Sequence, residues 1–145
     1  TSDFPVLNYS DQERSNNASM TLRVDDERGT YEGWNVTLQA SNFVYSGNAS
    51  GSNDIPAENL HILQQGYSNQ SLRNLDGGNT NSMDVLGMNN KLHQQTMVLR
   101  AQKNAGAGSY ELTIPVQLKV PGGSPVGSYT STITVTSSSG PNGNG

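Results

Sequence analysis

The chain has 145 residues, enough for one ordinary domain; only 32% are hydrophobic and 14% charged, and the balance is filled by Ser, Thr, Asn, Gln and Gly. Charge this low excludes disorder driven by self-repulsion, and the lack of any long amphipathic helical stretch argues against helix-rich classes. The net charge is -4, with Lys91, Lys103, Lys119 and five arginines scattered, so there is no basic stripe for nucleic acid, and no apolar run approaches a membrane span.

From the N-terminus, Phe4-Pro5-Val6-Leu7-Asn8-Tyr9 is a short apolar segment that Pro5 restricts to an edge or to the beginning of a strand. Polar residues follow through Asn17. Met20, Leu22 and Val24 then alternate with polar residues from Ser19 and predict a strand. A charged turn, Asp25-Asp26-Glu27-Arg28-Gly29-Thr30, leads to Trp34, the only tryptophan. Trp34, Val36, Leu38 and Ala40 point one way and Asn35, Thr37 and Gln39 the other, the period of a strand with one buried face. This strand is expected to extend toward Phe43 and Tyr45. Ser46 to Asp54 reads as a loop, and Leu60 and Ile62 mark a short strand after Ile55-Pro56-Ala57.

Tyr67 to Asn90 is the least regular stretch, and a long segment without periodicity is expected to be a surface loop or a site. Beyond it, Met97, Leu99 and Ala101 alternate with Thr96, Val98 and Arg100. Tyr110, Leu112, Ile114, Val116, Leu118 and Val120 form the longest alternation, with Pro115 on the opposite phase predicting an edge or a bulge. Pro121-Gly122-Gly123 closes that strand. Tyr129, Ser131, Ile133 and Val135 predict the last one, with threonines on its other face, before a polar, Gly-rich tail. About seven short strands separated by Gly, Pro and Asn turns predict an all-β antiparallel sandwich, immunoglobulin-like or a related Greek key. The expected division is an N-terminal segment over 1–17, a sandwich over 18–137 and a tail over 138–145.

The absence of cysteine rules out disulfides and thiolate metal sites without fixing the compartment. Few lysines, many Asn and Ser, and a first residue Thr1 lean toward an exported, mature chain.

The stretch Asp26-Glu27-Arg28-Gly29 followed by Gly33-Trp34-Asn35-Val36-Thr37-Leu38 resembles the first signature of WxL-type surface domains. Phe43, Ile55-Pro56-Ala57-Glu58-Asn59-Leu60, Val120-Pro121-Gly122-Gly123 and Gly127-Ser128-Tyr129-Thr130-Ser131-Thr132-Ile133-Thr134 fit the same pattern, so the resemblance runs from about Leu22 to Thr136. It implies an exported, β-rich module of a bacterial cell surface, attached non-covalently to peptidoglycan. The first motif carries Val36 in place of Leu. The second Trp-x-Leu would fall at Val135-Thr136-Ser137 and is absent, which removes half of any site built from both motifs.

The candidate sites are few. Trp34, with Val36, offers either a ring that stacks on a glycan or a core anchor, and its inward neighbours favour the core. Asp76, Asn79, Asn81 and Asp84 are oxygen ligands on a Gly-containing loop, but their spacing does not match the EF-hand calcium pattern and ordinary loop solvation is the expectation. Asn8, Asn17, Asn35, Asn48 and Asn69 begin Asn-x-Ser/Thr sequons, open to glycosylation where a host modifies them. His61 and His93 are the only histidines; neither adjoins a nucleophile signature such as Gly-x-Ser-x-Gly, no carboxylate pair stands out, and no enzyme, cofactor or metal is expected. Phe4, Pro5, Val6, Leu7 and Tyr9 form a candidate donor strand that completes the sheet of a neighbouring copy. The leading expectation is thus a non-enzymatic, self-associating surface protein, a filament-like subunit joined by strand exchange. The alternative is a WxL-like module that binds peptidoglycan or another surface glycan.

Overall fold

Alternating side chains set the strands of the computed structural model, which describes residues 3–26, 32–47 and 53–141. Ten strands are formed among them: β1 (Arg14–Asp26), β2 (Trp34–Ala40), β3 (Val44–Tyr45), β4 (Leu60–Ile62), β5 (Leu72–Asn74), β6 (Met83–Val85), β7 (Thr96–Ala101), β8 (Gly108–Val120), β9 (Tyr129–Thr130) and β10 (Ile133–Ser139). Single turns of 3-10 helix at Ala57–Asn59 and Asn69–Ser71 lead into β4 and β5. The charged turn at 27–31, the sequon Asn48 and the last four residues of the tail lie outside the described residues.

Two four-stranded antiparallel sheets enclose the core. In the first, β8 is the shared strand: β1 pairs along one edge from Arg14↔Val120 to Asp26↔Gly108, while β4 and β5 pair in turn with the other. The second runs β10-β2-β7-β6, and the short pair β3-β9 continues beyond the β2-β10 ladder. The inward residues of β8 (Tyr110, Leu112, Ile114, Val116 and Leu118) meet those of β2 (Trp34, Val36, Leu38 and Ala40), and all are buried. The all-β sandwich expected from the alternation is the fold observed. Its strands outnumber the expected seven, although 4–9 forms none, because Tyr67 to Asn90 holds β5 and β6, each too short to show a period, and because β3 and β9 stand apart from β2 and β10. The sandwich begins at Arg14 and ends at Ser139, so β1 and β10 both run past the boundaries expected at 18 and 137.

Three local features depart from the simple alternation. In β7, Thr96 and Val98 face inward, and then Leu99 and Ala101 do, because a bulge opposite Val36/Thr37 inverts the phase. Pro115 lies in the central strand β8, not at an edge or a bulge. Its carbonyl accepts from the Leu63 N–H at 2.9 Å, but it has no N–H to return, and β4 stops at Ile62. Val135, expected to face the core, is 50% exposed even though its ladder partner Leu38 is 3% exposed. Strand β10 is the edge of its sheet.

Candidate functional site

Trp34 is placed by the head of β2 and lies 4% exposed, its ring 6.0 Å from that of Tyr110. Its Nε1–H donates to the Gly106 carbonyl at 2.9 Å. Gly106 has φ +83°, and a Cβ there would come within 2.5 Å of both the indole nitrogen and the Ala101 side chain, so glycine permits the indole to close against this turn. Val36 is 1% exposed. Neither side chain offers a face to a sugar: the ring that a glycan would stack on is spent on joining the two sheets. The place of the missing second motif lies on the neighbouring strand, where Ser137 pairs with Val36 and Val135 with Leu38.

The N-terminal segment forms no strand. Phe4 packs edge-on against Phe43 at 6.3 Å between centroids, and the Asn16 side chain donates to the Pro5 carbonyl at 2.7 Å. Leu7 is half-buried, whereas Val6 is 97% and Tyr9 59% exposed.

Of the described sequons, Asn8, Asn17 and Asn69 are exposed; Asn17 accepts from Gln117, and Asn69 accepts from the Val85 N–H. Asn35 corrects the expectation of an outward position. It is 2% exposed and its Nδ2 donates to the Gly140 carbonyl, because the chain beyond β10 folds over this face of β2.

The side-chain oxygens of Asp76, Asn79 and Asp84 accept from protein donors. Asp84 accepts from Arg100 at 2.9 Å and from Gln102 at 2.8 Å, and these bonds hold its carboxyl below the usual range. Asp76 accepts from the distant Ser109 N–H, and Asn79 accepts from the Asn81 N–H in the local bonding of an Asx-type turn. His61 bridges to Lys91 on the outside of β4, and His93 lies near Gln39, which donates to its carbonyl. No nucleophile is joined to either histidine among the described residues.

A different place gathers side chains at the surface. At the end of the sandwich where β1 begins, β3 pairs with β9 and sets Tyr45 against Tyr129, with ring centroids 4.9 Å apart. Both rings are half-buried, and Val44 beside them is 52% exposed. The phenols are not free rotors. Tyr45 donates to the Val126 carbonyl and Tyr129 to the Pro125 carbonyl, so the rings clamp the loop that follows β8. Tyr45 lies so close over Gly47 and Gly127 that a Cβ at either would strike the ring. Partial burial, with Tyr45 adding to it, pushes the Tyr129 phenol up, so its hydroxyl stays a protonated donor at neutral pH.

Next to this pair is an open cleft of about 190 Å³ between Asn53 and Asp54 on one side and Pro121 to Pro125 on the other. Asp54 is fixed there by the Tyr45 N–H at 2.9 Å, and Ser124 by its bond to the Pro121 carbonyl. Closed pockets for small molecules hold about 300–1,000 Å³. A cleft this small and open suits one unit of a longer polymer. Rigid aromatic faces beside a few oriented polar groups are what recognition of a sugar requires: stacking on the ring's C–H face and hydrogen bonds to its hydroxyls. Sequence reading assigned Tyr45 to the tail of the Trp34 strand and Tyr129 to an inward position. The local signal for both was an aromatic residue close to glycine, Tyr45 before Gly47 and Tyr129 after Gly127.

The family model described as WxL domain surface cell wall-binding matches residues 4–141. The chain therefore belongs to the WxL family, and the protein is one of the cell surface. Searches of curated proteins and of solved structures gave no match. No helix among the described residues is long and apolar enough to cross a membrane.

Proposed function

We propose that the protein is a non-enzymatic module that holds to the glycan of the cell wall through the Tyr45/Tyr129 face and the adjoining Asn53–Ser124 cleft. The observation that carries this reading is the pair of rings, immobilised by their own phenols and by two glycines, beside a cleft of oriented polar groups. The family's description as cell wall-binding supplies the ligand class, and peptidoglycan is its chemical form. On this reading Trp34 and Val36 serve the wall only indirectly, by holding the sheets that carry β3 and β9.

The test is co-sedimentation with purified peptidoglycan. The parent chain should sediment with the sacculi. A Tyr45→Ser/Tyr129→Ser variant with unchanged circular dichroism should bind about tenfold more weakly, as expected for the loss of roughly 1.4 kcal/mol of ring contact. Equal binding by the folded variant would place the site elsewhere, and no binding by the parent would remove the wall reading.

A second reading is self-association by exchange of the Phe4–Tyr9 segment between copies. What favours it is the seat of that segment, held by Phe4 and the Pro5 carbonyl while Val6 and Tyr9 stay largely in water. The two readings are compatible, since a module bound to the wall can also join copies of itself.

A further inference from the structure

Strands β1 and β10 are edges of different sheets, and the topology puts them on one flank. The opposite flank is closed, because the turn leading into β5 bonds to β6 (Asn69 to Val85) and Tyr67 donates to the Leu86 and Val98 carbonyls. Trp34 against Tyr110 fixes β2 over β8, so the remaining neighbours, β10 of one sheet and β1 of the other, face each other across a seam. The seam is lined by inward residues that remain partly in water: Ala18, Met20, Leu22 and Val24 from β1, Ile133 and the half-exposed Val135 from β10. No described residue forms a ladder with the outer edge of β1 between Ala18 and Val24, or with that of β10 between Ile133 and Ser138.

Isolated edge strands are usually guarded by lysine, proline or an inward charge. Over the stretches that line the seam, neither of these edges is. Between Ser15 and Leu22, and again from Ile133 to Ser139, there is no charged residue and no proline. An unguarded, neutral edge on each side of an apolar seam is a template for an added strand.

We propose that this seam is a strand-acceptor site and that its occupant is the Phe4–Ser10 segment of a second copy of the chain. The proposal rests on the self-association reading and supplies the acceptor surface that reading lacks. Three observations select the occupant. The segment already sits at the mouth of the seam of its own copy, where Asn16, the inward β1 residue that precedes Ala18, donates to the Pro5 carbonyl. From Phe4 to Ser10 it carries no charge, matching the neutral edges. Its length of seven residues spans about 23 Å when extended, the same as the uncharged run from Asn16 to Leu22 that it would cover. Entry of the segment transfers Val6, now 97% exposed, onto a surface that includes the exposed half of Val135.

The chain has no cysteine, which makes the test direct. Full-length Val6→Cys protein, isotope-labelled, is mixed under mild oxidation with Val135→Cys protein or, as a control on the closed flank, Gln64→Cys protein. All three positions are solvent-accessible, so the variants fold as the parent does. The expected result is a mixed disulfide of Val6→Cys with Val135→Cys, identified by mass and absent with Gln64→Cys, together with oligomers in light scattering that vanish when residues 1–9 are deleted. Oligomers with no preference for Val135→Cys would overturn the acceptor site and leave self-association standing. A chain that stays monomeric at every concentration would overturn both.

Discussion

Trp34 illustrates how one side chain can be legible in its place and misleading in its role. Its position at the head of an alternating strand was readable from Val36, Leu38 and Ala40, and so was its burial. What could not be read was its partner, since the Gly106 carbonyl lies 72 residues away and only the fold brings it to the indole N–H. Trp34→Ala should cost about 3–5 kcal/mol of stability, the range for truncating a large buried aromatic. Trp34→Phe keeps most of the packing but strands the Gly106 carbonyl, at about 1–3 kcal/mol. Urea unfolding of both variants checks the order. Loss of wall binding in Trp34→Ala would then report unfolding and not a lost contact. His61 gives a second residue-scale expectation. Burial, followed by the charges of Lys119 and Lys91, lowers its pKa from the ordinary value of 6.5. The unfolded chain therefore takes up the proton first as pH falls. The contribution of His61 is intact above about pH 7 and is lost as pH drops through 6.5 toward the lowered value. The urea midpoint should fall between about pH 7.5 and about pH 5.5, above the range where carboxylates titrate, and His61→Gln should flatten part of that slope.

Elements were read with uneven success, and the reasons are physical. β8 was visible along its whole length because every second residue from Tyr110 to Leu118 is apolar and buried. β7 was visible as a strand but with its phase broken by the bulge, which an alternation count cannot anticipate when Val98 and Leu99 are both apolar. β5 and β6, each of three residues, borrow their stability from β8 and β7 and carry no period of their own. The aromatic pair was missed for a related reason: β3 and β9 are two-residue pieces, and the register that places Tyr45 opposite Tyr129 is a tertiary fact. Pro115 was rightly seen as unable to donate, but the conclusion that its strand was an edge failed. The sheet accommodates it in the gap between β4 and β5, which share one side of β8. Pro115→Ala restores an N–H opposite Leu63, so hydrogen exchange should show a newly protected amide at position 115. Rapid exchange there would show that β4 ends for some other reason.

At the scale of the molecule, the sandwich and the surface location were both accessible from patterning and from the motif around Trp34, and the family match over 4–141 agrees. The proposed binding geometry was not accessible, because it is assembled from β3, β9, the 53–54 segment and the loop after β8, which are far apart in the chain. The path of the chain through the sandwich has a mechanical corollary. β1 starts at the end where Arg14 meets Val120, and β10 finishes at the other end, where Ser139 meets Trp34. Tension applied between those two points pulls each terminal strand along its own axis. The ladders then slide in shear, with many rungs loaded at once, instead of opening one rung at a time like a zipper. For a protein that stands between a wall and whatever tugs on it, that orientation resists force where an equally stable domain with both strand ends at one pole would peel apart.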